Sequence, residues 1–470
     1  MNRTSTENQT ENTSSSELTH RQKYRGLLKR SVFKDFRDNL FRYFDYIYTM
    51  ASSHRYLSDI FRTIIFIQEC VVAFFPLNKV LWPNGSLLGR ILAVFSVASF
   101  ICPTSVSDFT HFVVVIILYV FILLFIILFF SNLYIFLKMS KVHSAIVSII
   151  SIFLNVLQPY LINMISSHIG RDLYYIIESR NRIAHIFTFI FGVAFLIILL
   201  LFQTLFVAPS ITFRPQVVHI MYSRYSALYN LCNVMIFFFS SIGSLIEGIT
   251  GTVLCIFTII PAGFIIFISF QQSIWAYIPS MVTSQAFSIV YCCFAIILPI
   301  LSQQKIEGNE VIILCFIAAI SLLIYLFQKF AESQIKKDLL FLVDIEQDES
   351  LLETISYTKL LSLLRYGFDN GHPICHTWKL FDIALESFNN DYRIVLLYAK
   401  YAAIYSDESN ALQLITRNLK QMKHGSIELK YVLFQVNSLL QHRERGLSKS
   451  LKKTLSKIQD KTEKCRGQMR

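Results

Sequence analysis

The chain has 470 residues, 54% of them hydrophobic and 42 of them Phe, with a mean hydropathy of +0.50 and a formal net charge of +12. That composition excludes an ordinary soluble domain and places the protein in the polytopic membrane class. The basic excess lies at the two ends, +4 over residues 1–56 and +5 over residues 329–470, and flanks apolar runs. It therefore fits a lipid bilayer with an anionic cytoplasmic leaflet and argues against nucleic acid as a partner.

Residues 1–20 are almost wholly Ser, Thr, Asn and Glu and read as a disordered polar arm. Residues 21–56 form a basic juxtamembrane helix with interleaved aromatics, among them Phe36, Phe41, Tyr43, Phe44 and Tyr46. Two placements suit it: flat on the membrane surface, or packed on the soluble region.

Residues 57–329 read as a multi-span membrane domain of eight to ten helices. Its candidate spans are Thr63–Leu77, Leu87–Ile101, Phe112–Leu137, Ser144–Ser166, Ala184–Ala208, Tyr225–Ile246, two within Gly248–Gln304, and Val311–Phe327. Gly248–Gln304 runs for 57 residues without a Lys, Arg, Asp, Glu or His, so it reads as lipid-embedded packing with a turn near Gln271 to Ser280. Basic residues on both sides of the domain predict cytoplasmic termini and hence an even number of spans. Six cysteines fall in apolar runs (Cys102, Cys232, Cys255, Cys292, Cys293 and Cys315) and read as small buried hydrophobes.

Residues 330–348 continue the last span as a juxtamembrane linker helix, and residues 349–470 read as helical repeats. The stripe Trp378, Phe381, Leu385 and Phe388 recurs 34 residues later as Leu412, Ile415, Leu419 and Met422, the period of tetratricopeptide repeats. A basic amphipathic helix follows over Arg443–Arg470. The predicted fold class is thus all-α: a polytopic transmembrane helical bundle followed by a cytosolic TPR-like helical-repeat region.

No Gly-rich phosphate loop, His-Glu-x-x-His helix, nucleophile elbow or paired-cysteine motif is present in the sequence. The expectation is therefore a non-enzyme with no cofactor and no metal. Polar groups inside apolar spans are the places to look for a site. The candidates are Arg62, Glu69, Arg90, Asn155, Gln158 and Asn163, with Asn230, Asn233 and Glu247 as further intramembrane polar positions.

The segments LLRYGFDNGHPICHTWKLFDIALESF (Leu363–Phe388), LLYAKYAAIYSDES (Leu396–Ser409) and the run from Gln441 to Arg470 resemble the repeat region of TmcB/TmcC-type proteins. They look most like the version in multi-pass class III adenylate/guanylate cyclases of parasitic protists. The resemblance implies the membrane and repeat portion that precedes a cyclase domain; no catalytic residue of that family has a counterpart here. The expected function is a polytopic membrane sensor or regulatory module of cyclase-type signalling, with protein partners at the TPR-like region and a homo-oligomer left open. The alternatives are a transporter or channel with a helical regulatory tail, and a membrane-tethered scaffold.

Overall fold

The structure, a computed structural model, describes residues 35–47 (Asp45 excepted), 55–100 (Asn84 excepted), 108–139, 143–178, 182–207, 223–270 and 278–348, with short pieces between 350 and 363 and between 429 and 434. The polar arm, the repeat positions Trp378 to Met422 and the basic stretch from Arg443 lie outside the described residues.

The described elements are helical, and we number them α1 Arg55–Ala73, α2 Leu87–Phe95, α3 Val97–Phe100, α4 Asp108–Met139, α5 Ser144–Ile152, α6 Gln158–Ile177, α7 Arg182–Val207, α8 Ser223–Leu245, α9 Ile249–Phe257, α10 Ile259–Ser269, α11 Ile278–Gln303 and α12 Glu310–Gln347. Six of the described helical segments are long and apolar enough to cross a membrane: Phe109–Met139, Arg182–Phe206, Ala227–Leu245, Ile249–Ser269, Ile278–Gln303 and Glu310–Ile345. Large apolar side chains on their outer faces, such as Ile117, Leu124 and Ile127 on α4 and Leu314, Ile317 and Leu322 on α12, are about half exposed or more. An aqueous surface would be penalised for such a belt, whereas hydrocarbon accepts it.

Six is fewer than the eight to ten expected, and the difference lies in particular residues. Leu87–Ile101 is too short: its helical stretch, α2 and α3 joined through Ser96, covers only Leu87–Phe100. Ser144–Ser166 is longer than expected, because the helix runs on to Ile177. A π-turn over Phe153–Leu157 joins α5 to α6 just ahead of Pro159. The proline ring cannot pack against the carbonyl one turn earlier, and widening the helix there relieves the clash. The cysteine expectation fails at Cys293 and Cys315, which are exposed on the apolar belt, while Cys232 and Cys255 are buried.

The helices alternate in direction. His111 at the start of α4 meets His168 late in α6 and lies near His185 at the start of α7, whereas Phe129 near the other end of α4 meets Phe202 near the end of α7. So α4 and α7 run in parallel and α5–α6 returns between them. Gly170 abuts Phe238 of α8, Thr258 at the α9–α10 joint meets Tyr291 of α11, and Phe294 of α11 meets Phe316 of α12. We call the end holding the start of α4 the upper end. By these contacts α1, α5–α6, α8 and α11 rise, and α4, α7, α9–α10 and α12 descend.

Two apolar cores share the bundle. One joins α4, α5–α6 and α7 with Tyr43, Phe44 and Ile47, and the other joins α1, the 74–82 turn and α8 to α12. The juxtamembrane helix thus packs beneath the bundle. Phe41, Tyr43 and Phe44 are fully buried, with Tyr43 against Phe129 and Phe136 and Phe44 against Phe206. Phe41 faces the other way, onto Tyr431 at 5.2 Å and Phe434 at 6.0 Å.

Where α6 and α8 touch, only a glycine fits. A Cβ on Gly170 would lie 2.6 Å from the Phe238 carbonyl oxygen, while one on Gly263 of α10 would meet nothing within 4 Å. Gly170→Ala should therefore cost about 1–3 kcal/mol through forced separation of the helices, read as a lower thermal midpoint in detergent. Gly263→Ala should leave the midpoint unchanged or slightly raised, since alanine is the better helix former.

Candidate functional site

Helix α6 is the centre of the bundle, and from Leu161 to Asp172 every residue is buried. An all-round buried helix is normally apolar. This one carries Gln158, Asn163, Ser166, Ser167, His168, Arg171 and Asp172, each at most 3% exposed. Two polar clusters form along it.

The first contains part of the predicted set. Asn163 Nδ2 donates to Gln68 Oε1 at 3.1 Å, and Gln68 Nε2 donates to the Ala98 carbonyl at 3.1 Å and the Tyr160 carbonyl at 3.3 Å. The neighbouring Glu69, 5% exposed, accepts from the Tyr229 hydroxyl at 3.4 Å, and that hydroxyl also bonds Ser284 at 2.9 Å. Asn233 adds a hydrogen bond to Tyr229. So α1, α3, α6, α8 and α11 are tied together around one buried carboxylate.

The remaining predicted residues do not join it. Gln158 donates to the Leu199 carbonyl of α7, and its Oε1 is buried without a partner. Arg90 is exposed on α2, and Glu247 is exposed at the upper end. Arg62 lies about two turns before Glu69 on α1, half-buried. The Asn155 side chain lies outside the described residues.

The second cluster was not predicted. His111 Nε2 and His168 Nδ1 are 2.8 Å apart, and both rings are fully buried. His185 Nδ1 lies 2.8 Å from Asp172 Oδ1, with both side chains 1% exposed. The carboxylate can only accept, so His185 carries its proton on Nδ1. Arg171, 2% exposed, donates from Nε to the Tyr175 hydroxyl at 3.1 Å, and its guanidinium lies 5.4 Å from the Tyr175 ring centre. The His185 ring is 4.7 Å from Tyr175 and 6.4 Å from His111, which makes the cluster contiguous.

Several of its polar atoms are buried without a hydrogen-bond partner: His111 Nδ1, His168 Nε2, Arg171 Nη1, Asp172 Oδ2 and Ser167 Oγ. Each orphan of this kind carries a desolvation cost of about 1–3 kcal/mol unless water or a ligand supplies the bond.

The two clusters meet at α3. Gln68 bonds the Ala98 carbonyl, and two residues on, the Phe100 backbone acts on the His168 ring, whose centre is 5.9 Å from the Phe100 ring. What the arrangement can do follows from its residue types. It holds a buried carboxylate at each end, an imidazole pair between them and a fixed cation beside that pair. Three histidines invite a metal reading, but two ring nitrogens are spent on each other and Arg171 opposes a second cation. Among the described residues there is no cluster fit to hold a metal ion.

The span Ala184–Ala208 read from the sequence takes in His185 without singling it out, and the neighbouring spans are bounded at Phe112 and Ser166, just short of His111 and of the run His168-Ile169-Gly170-Arg171-Asp172. The available signal was that nothing between Ser166 and Glu178 ends a helix apart from one glycine.

No family model, no curated protein and no solved structure matches the chain.

If Asp172 and His185 act as a buried pair, Asp172→Ala and His185→Ala should each cost about 3–5 kcal/mol. The double variant should cost less than the sum by about 1–3 kcal/mol in thermal or denaturant unfolding. Strict additivity would mean the two do not interact.

Proposed function

We propose that the chain is an eight-pass membrane signalling module whose last helix and N-terminal segment carry changes in bundle packing to a cytosolic region beyond residue 348. Eight passes comprise the six apolar spans together with α1 and α5–α6. The alternation of contacts supports the two additions: when α4 and α7 both descend, the chain between them has to return. Both described ends then lie at the lower end. That end also holds Lys138, Arg224, Lys329, Lys336 and Lys337, with Glu332 and Asp338 among them, whereas the upper connections mix Lys79, Arg90, Arg182 and Lys305 with Glu178, Glu247, Glu307 and Glu310. The basic lower end is the cytoplasmic one by the positive-inside rule.

The observation that carries the signalling reading is the continuity of α12. Its 38 residues extend for about 57 Å, against about 30 Å of hydrocarbon, so it is at once a wall of the bundle and a rod projecting from it. Along the rod Leu342 and Ile345 are fully buried, and Lys359 pairs with Asp338. The rod ends in a turn where the Ser350 hydroxyl and backbone amide donate to Asp348 and hold its carboxyl below the usual range. A second connection runs through Phe41, which packs on Tyr431 while Tyr43 and Phe44 pack under α4 and α7. The resemblance to the input half of membrane cyclases agrees with this reading, with residues 349–470 as the TPR-like output and protein-partner surface. No catalysis is assigned to these 470 residues.

A second reading, a transporter or channel with a regulatory tail, is favoured by the buried ionisable residues of α6, which membrane proteins retain mainly at functional sites.

The signalling reading is tested by spin labels at Leu340 and at a fixed bundle position such as Leu124. Glu69→Gln, which alters only the bundle interior, should change the distance distribution between the labels. A Gly-Ser-Gly-Ser insertion between Lys336 and Lys337 should abolish that response with insertion into the membrane intact. An unchanged distribution in Glu69→Gln would remove the support for coupling through α12.

A further inference from the structure

Two histidines bonded to each other, each with its outer nitrogen buried and unpartnered, are an unusual thing to build into a helix core. Any neutral arrangement of the pair leaves one orphan donor and one orphan acceptor at opposite ends. In one of the two neutral arrangements His168 carries its proton on Nε2. Nδ1 then accepts from His111 Nε2, and His111 Nδ1 offers a lone pair. Such a pair transfers a proton without holding one. A proton bonds to His111 Nδ1, the Nε2 proton of His111 passes to His168 Nδ1, and the Nε2 proton of His168 leaves. One proton enters, one leaves, and both rings end in the other neutral tautomer, from which a turn of both rings resets them for the next proton.

We propose that the core of this bundle conducts protons, with His111 and His168 as the relay between the Asp172–His185 pair and the Glu69–Asn163 cluster. The inference deepens the transporter reading and rests on it. On the upper side the relay faces His185 from α7 and Asp172, Arg171 and Tyr175 from α6. On the lower side, the α3 backbone from Ala98 to Phe100 lies between His168 and the groups Gln68, Asn163, Glu69 and Tyr229. The orphan atoms Ser167 Oγ, His168 Nε2, His111 Nδ1 and Asp172 Oδ2 mark where waters complete the path. The Arg171 guanidinium, buried one turn from His168 on α6, opposes metal cations, so the species passed is the proton.

The test reconstitutes the full chain in vesicles holding a pH-sensitive dye and drives protons inward with a potassium gradient and valinomycin. The expected result is acidification well above that of protein-free vesicles. His168→Asn and His111→Gln keep an amide able to hold the mutual hydrogen bond but unable to exchange a proton at one nitrogen for a proton at another. Each should lower the proton flux on the order of tenfold or more, with the thermal midpoint close to that of the parent chain. Wild-type vesicles that pass potassium or chloride but no protons would overturn the relay and leave the transporter reading standing. Vesicles that pass no ion would overturn both, and proton flux unchanged in both variants would remove the two histidines from the path.

Discussion

Everything in this bundle has to accommodate the burial of α6. A helix that carries Arg171, Asp172, His168 and Asn163 through the middle of an apolar assembly can exist only where neighbours supply partners, because an uncompensated charge in hydrocarbon costs several kcal/mol. The neighbours supply part of them, and Tyr175 of α6 itself takes Arg171. His111 comes from α4 and His185 from α7, while α1 brings Gln68 to Asn163. Gly170 lets α8 approach closely enough to seal the remaining side. The order of the helices around α6 is in this sense the order in which its polar groups are satisfied.

This constraint also separates the two halves of the membrane region. Gly248–Gln304 has no Lys, Arg, Asp, Glu or His, and its helices α9 to α11 are held by apolar packing and by hydroxyl bonds such as Tyr291 to Ser240 at 2.6 Å and to Thr258 at 2.9 Å. Hydroxyl pairs of this kind hold helices together and carry no charge to switch. The apolar half is packing, and the chemistry is concentrated where α1, α3, α4 and α7 surround α6. Below it, the aromatic segment from Phe41 to Ile47 closes the bundle and touches Tyr431, so a change of packing around α6 has a short route to the lower end.

The helical class and the clean spans were legible because apolar runs of twenty or more residues admit few other readings. The number of passes was narrowed only to eight to ten. Sliding hydropathy penalises the very residues that make α6 the centre, and it credits Leu87–Ile101 for apolar character although the helix there ends at Phe100, short of a span. For the site, Glu69 and Asn163 were found because they stand alone in apolar surroundings. His111 and His168 stand at what the sequence presents as the ends of spans, where polar residues are ordinary. Only the return of α5–α6 between α4 and α7 carries them into the interior. The face of the juxtamembrane helix was ambiguous for a related reason, since an aromatic stripe suits a lipid surface and a protein underside equally well.

The central claim is that α5–α6 crosses the bilayer despite its polar content. Single cysteines at His143 and Glu178, both exposed and at opposite ends of this helix, test it in sealed, oriented vesicles from a background without other reactive cysteines. A membrane-impermeant maleimide added outside should label one position and spare the other until the vesicles are opened. Equal labelling of both from the same side would contradict the account.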